Sequence, residues 1–103
     1  MRFLGNNTQD IPQDELKVVT ASVLQLFAKM KDEFGMLFTH KEHRFTVIRA
    51  KDWAVDLINA GITVDEFNMG AYKTLKESEY PVERSYTFIK LCRGIKIDGV
   101  PDV

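Results

Sequence analysis

The chain has 103 residues, 45% of them hydrophobic and 28% charged, with a formal net charge of −1 at pH 7. That length supports one hydrophobic core rather than two, and the near-neutral balance lacks the basic excess by which a dedicated nucleic-acid binder neutralises phosphates. Its single cysteine, Cys92, excludes an internal disulfide and a thiolate-rich metal site, which suits a reducing compartment.

Residues 1–9, MRFLGNNTQ, turn polar and turn-rich after a short apolar start and read as a flexible arm, leaving 10–103 as a single helical domain. In DIPQDEL, Asp10 can cap a helix, Pro12 is tolerated in a first turn where a missing N–H loses no bond, and Asp14 and Glu15 suit the positive end of the helix dipole. Leu16, Val19, Val23, Leu26, Phe27, Met30 and Phe34 recur at spacings of three and four, predicting a helix with one apolar stripe that ends near Gly35.

MLFTHKEH reads as a connector. A second helix is predicted from about Glu42 to Ala60, with Gly61 as its left-handed stop. Val47, Ala50, Ala54, Leu57 and Ile58 form its main stripe, with Trp53 as a large anchor at the edge, while Phe45, Ile48 and Val55 form a second stripe. Two stripes imply neighbours on two sides, so this helix is expected at the centre.

TVDE, residues 63–66, has the form of a capping box between Thr63 and Glu66. A third helix follows, with Phe67, Ala71, Thr74 and Leu75 inward. Gly70 lies in mid-helix, where glycine costs about 1 kcal/mol relative to alanine; close approach of another backbone explains it most simply. The helix is expected to end by ESEYP, because a residue before proline is pushed out of helical dihedrals. Phe88, Leu91, Cys92 and Ile95 give the face of a short fourth helix that Gly94 would fray, and IKIDGVPDV reads as an extended tail. The expected fold is all-α, a compact bundle of about four helices with a short extended C-terminal tail. No membrane span is expected, since no apolar run approaches roughly 18 residues. The N-terminus also lacks the basic flank and apolar core of a signal peptide.

The candidate reactive groups are few. His40 and His43 stand three apart, without the further ligands or the helical His-Glu pattern of a zinc site, and read as exposed connector residues. Cys92 falls on an apolar face, where burial raises a thiol pKa and suppresses nucleophilicity. No catalytic residue, metal, cofactor or small-molecule substrate is therefore expected. Lys41, Arg44, Arg49 and Lys51 form the densest basic cluster and are the candidate nucleic-acid contacts. At about 100° per residue they scatter around a helix rather than building a phosphate track, with Asp52 and Asp56 interleaved. Tyr80, Arg84 and Tyr86 flank the segment before the last helix and are candidate partner contacts, being residue types favoured at interface hot spots.

From Trp53 onward, the order "W…L…AGIT…E…G…L…YP…F…LCR…GVPDV" resembles the replication protein P family of lambda-like phages and prophages, which are helicase loaders. The matching positions are Trp53, Gly61, Ile62, Thr63, Glu66, Gly70, Pro81, Phe88, Cys92, Gly99 and Pro101, and the upstream Leu26, Phe27 and Phe34 fit the family's beginning. Two departures stand out. Many members carry Pro-x-Pro-Gly before the last Phe, where this chain has VERSYTF; members also continue beyond the Gly-x-Pro element into the part understood to hold the helicase. The resemblance thus implies the N-terminal domain of a DNA replication protein, in the cytoplasm of a bacterial host. Its expected role is non-enzymatic protein–protein contact with the origin-binding initiator, the replicative helicase or both. Trp53, Gly61, Thr63, Glu66, Gly70, Pro81, Phe88 and Cys92 are expected to determine the fold rather than to make contacts. The alternative expectation is a small single-stranded DNA-binding helical domain using Lys41, Arg44, Arg49 and Lys51.

Overall fold

The computed structural model describes residues 11–94, and over these the chain is all-α. Helix α1 runs Gln13–Phe34, the short α2 Met36–Thr39, α3 Val47–Ala60, α4 Val64–Lys76 and α5 Ser85–Cys92. A 3-10 turn, Glu42–Arg44, lies between α2 and α3. The arm, the tail, Asp10, Ile95, Gly99 and Pro101 lie outside the described residues.

The apolar stripe on α1 forms as its spacing predicts: Leu16, Val23, Leu26, Phe27 and Met30 are buried, and Val19 and Phe34 pack beside them. Pro12 stands immediately before the helix and its carbonyl accepts the Leu16 N–H at 3.0 Å. Gly35, with φ +56°, ends it. Helix α3 packs against both α1 and α5, so the expected central placement holds.

The start of α3 departs from expectation. The helix begins at Val47, not near Glu42, because the Thr46 hydroxyl accepts the Arg49 N–H at 3.2 Å and caps it there. Upstream, Phe45 leaves helical dihedrals (φ −123°, ψ 46°) and turns into the core, where its ring stacks on Phe38 at 4.4 Å. Burying that ring outweighs continuing the helix. Two stripe assignments fail as a result: Val47 is 64% exposed and Ile48 75% exposed. The buried face of α3 is Ala50, Trp53, Ala54 and Leu57.

At its far end, Gly61 adopts φ +74°, ψ 29°, and the Ile62 N–H closes back on the Leu57 carbonyl at 3.1 Å. The capping box is complete: Glu66 N–H donates to Thr63 Oγ1 at 3.1 Å, and Thr63 N–H donates to Glu66 Oε1 at 2.9 Å. The Arg93 guanidinium donates to the Ala60 carbonyl, placing a cation on the negative end of α3 and tying α5 to it.

Six aromatic rings run in sequence through the core. Phe38 stacks on Phe45, which meets Phe27 edge-on at 5.0 Å; Phe27 meets Trp53 at 5.0 Å, Trp53 meets Phe88 at 5.4 Å, and Phe88 meets Phe67 at 5.2 Å. Each numbered helix contributes a ring to the chain, with Phe45 as the one member between helices. Trp53 is thus a core anchor, 3% exposed and in the middle of the series.

Thr74 is fully buried on α4, and its hydroxyl has no hydrogen-bond partner among the described residues. A buried unpaired hydroxyl retains its desolvation penalty, about 1–3 kcal/mol. Thr74→Val keeps the shape and branching while removing that penalty. The expected result is a gain of about 1 kcal/mol, read as a rise in Tm of about 4–8 °C for a domain near this size. An unchanged or lower Tm would mean that the hydroxyl finds a partner in solution.

Candidate functional site

A groove of about 440 Å³ lies between α1 and α4. Its construction follows from two helical spacings on α1. The core stripe that includes Leu16, Val19, Val23 and Leu26 faces α3, and the adjacent row Glu15, Val18, Ser22, Gln25 and Lys29 forms one wall of the groove. Val64, Phe67, Asn68 and Ala71 on α4 form the other, and Leu57, Ile58, Gly61 and Ile62 line its base at the α3–α4 turn. After the sharp turn at Gly61, α4 packs chiefly on α5 and only lightly on α1, which leaves the groove between α1 and α4.

Its lining mixes aliphatic and polar side chains, and the rims are open to water: Val18 is 65% exposed and Val64 76% exposed. The hydroxyls along it are already engaged. Ser22 donates to the Val18 carbonyl at 3.2 Å, and Thr63 caps α4. The amides of Gln25 and Asn68 add polar groups to the walls, and among the described residues the charged ones lining the groove are Glu15 and Lys29.

The other candidate residues fall into two groups that the fold brings together. Tyr80 and Tyr86 are 65% and 64% exposed and Arg84 is exposed, all on or beside the segment leading into α5. The Lys90 ammonium lies 4.4 Å from the centre of the Tyr86 ring, occupying one of its faces. Glu83, next to Arg84, receives two members of the basic cluster: Lys41 at 3.0 Å and Arg44 at 3.7 Å. Two of the four cations proposed for phosphate contact therefore already face a carboxylate, while Arg49 and Lys51 stand exposed on α3. The Ser85 hydroxyl completes the tether of this segment by donating to Asp56 Oδ2 at 2.6 Å.

Cys92 is 4% exposed, in the crossing of α5 with α4. Burial, reinforced by the negative charge of Glu66, pushes its thiol up to about 12 from an ordinary 9.0. A raised thiol pKa favours the neutral folded form, so this contribution to stability is intact below pH 9 and is lost as pH rises from 9 toward 12. The checkable consequence is protection: at pH 8 a disulfide reagent should label Cys92 in the native chain at least about a hundredfold more slowly than in urea-unfolded chain. Comparable rates would place the thiol at the surface. His40 and His43 are both exposed, and among the described residues no group of three or more His, Cys, Asp or Glu is placed to hold a metal ion.

Sequence reasoning did not find the groove. Its signals were Val18, an aliphatic residue off the main stripe of α1, and Val64 in the first turn of α4; each reads as an isolated exposed residue until the turn at Gly61 sets the two helices side by side. No helix of the described residues is long and apolar enough to cross a membrane. In comparisons with known proteins, no family model, curated protein or solved structure matches the chain.

Proposed function

We propose that this chain is a non-enzymatic adaptor domain of a phage or prophage DNA replication initiation protein, akin to the N-terminal part of a helicase loader. It works in the bacterial cytoplasm by contact with the origin-binding initiator, the replicative helicase or both. The observation that carries the reading is the open groove between α1 and α4, with exposed valines on both rims. Exposed apolar surface of this kind marks binding sites for other macromolecules. The motif order from Trp53 to Cys92 supplies the replication context. Pairing of Lys41 and Arg44 with Glu83 weighs against the single-stranded DNA reading, because those cations are partly neutralised before any phosphate arrives.

Pull-down of the cognate initiator and host helicase on immobilised chain tests this reading. Capture of either, insensitive to nuclease, is the expected result. A chain that retains neither would end the proposal. Salt separates the alternatives: phosphate contacts weaken steeply between low and moderate ionic strength, whereas burial of apolar surface does not.

A further inference from the structure

The contents of the groove restrict what can occupy it. The wall row on α1 runs from Glu15 to Lys29, a distance of about 21 Å at 1.5 Å per residue, or roughly four helical turns. The two charges stand at opposite ends of that row, and neither is ion-paired with another described residue. Between them Val18, Leu26, Ile62 and Val64 give an aliphatic strip edged by Gln25 and Asn68, and the small residues Ser22, Gly61 and Ala71 leave room for the close approach of another backbone. The Ser22 hydroxyl is engaged within the protein, and the remaining polar groups, Glu15, Gln25, Lys29 and Asn68, line the aliphatic strip on both walls, as suits an amphipathic ligand. An extended strand is unsuited, because both walls are helices whose backbone groups are already paired.

Resting on the adaptor reading, we propose that the α1–α4 groove receives a single amphipathic α-helix of a partner protein. That helix spans about four turns, lays an aliphatic stripe between Val18 and Val64, and carries a basic residue over Glu15 and an acidic residue over Lys29. The apolar stripe supplies the affinity and the two end charges set the direction in which the helix lies.

The probe is a displayed library of 16-residue peptides selected against the full chain, followed by titration of the enriched peptides with Val18→Lys, Val64→Lys, Glu15→Lys and Lys29→Glu. Because Val18 and Val64 are 65% and 76% exposed, their substitution leaves the core intact, and an unchanged thermal melt confirms it. Enriched sequences are expected to show aliphatics at helical spacing with opposite charges at the two ends, and to gain helicity on binding. Val18→Lys and Val64→Lys are each expected to weaken them at least about tenfold, and each end-charge reversal severalfold. Failure to enrich any such peptide, or enriched peptides that bind the two lysine variants as tightly as the parent, overturns the proposal. Concentration-dependent dimerisation abolished by Val18→Lys also overturns it, assigning the groove to a second copy. Should the initiator or helicase bind the lysine variants undiminished, the helix-in-groove inference falls while the adaptor reading stands. If library helices bind through Val18 and Val64 but neither replication protein does, the reverse holds.

Discussion

Replacing Phe88 by alanine is expected to remove about 3–5 kcal/mol of stability, the range for deleting a fully buried aromatic side chain. Phe88 is 0% exposed and holds the junction of three helices: its ring meets Trp53 of α3 at 5.4 Å and Phe67 of α4 at 5.2 Å while its own backbone belongs to α5. Trp53 cannot simply collapse into the space, because a further ring fixes it. Trp53 is held from the far side by Phe27 of α1, 5.0 Å away and nearly perpendicular. Domains of this size have total stabilities of about 5–15 kcal/mol, so the loss is a large part of the whole. Urea unfolding followed by the fluorescence of Trp53, the sole tryptophan, reads both the midpoint and the local environment. Tyr86→Ala is the matched control: that ring is 64% exposed, and truncating it should change stability by no more than about 0.5 kcal/mol. Equal effects from the two substitutions would show that the aromatic series is not the core.

Features of the fold that are written locally were legible in the sequence. Helix α1 declares itself through a single stripe and a glycine stop, α4 through the reciprocal side-chain and backbone bonds of Thr63 and Glu66, and the end of α3 through Gly61. Each depends on residues within a turn or two of one another. The start of α3 was misread because a helical period continues formally through Phe45, and only a tertiary contact, the stack with Phe38, diverts that ring. Period alone cannot report a partner seven residues upstream. The same reason hid the candidate site: the groove belongs to the relative placement of α1 and α4, and neither Val18 nor Val64 signals it in isolation. Conversely, the basic cluster looked more available in the sequence than it is, because Glu83 lies some forty residues downstream of the cations it meets.

Gly70 is the position where a local rule and a tertiary contact oppose each other most directly. On an exposed helix, glycine to alanine should stabilise by up to about 1 kcal/mol, since alanine restricts the unfolded chain and favours the helix. Here a Cβ would collide with the Cys92 sulfur and lie 3.2 Å from both the Cα and the amide nitrogen of Cys92. The sulfur could rotate aside, but the backbone atoms can retreat only if α5 moves, and α5 is held by the burial of Phe88 and Leu91 and by the Arg93 bond to Ala60. Overpacking of about 1–3 kcal/mol therefore exceeds the propensity gain. Gly70→Ala is expected to destabilise by about 1–2 kcal/mol, and Gly70→Val, which adds two methyl groups beyond the alanine Cβ, by about 3 kcal/mol or more. A double-mutant cycle with Cys92→Ala separates the two sources of strain. Removing the sulfur should recover about 1 kcal/mol of the Gly70→Ala loss as coupling between the sites, leaving the backbone contribution in place. Were Gly70→Ala instead to raise the unfolding midpoint as it would on a free helix surface, α4 and α5 could not cross at this pair, and the burial of Cys92 would need another cause.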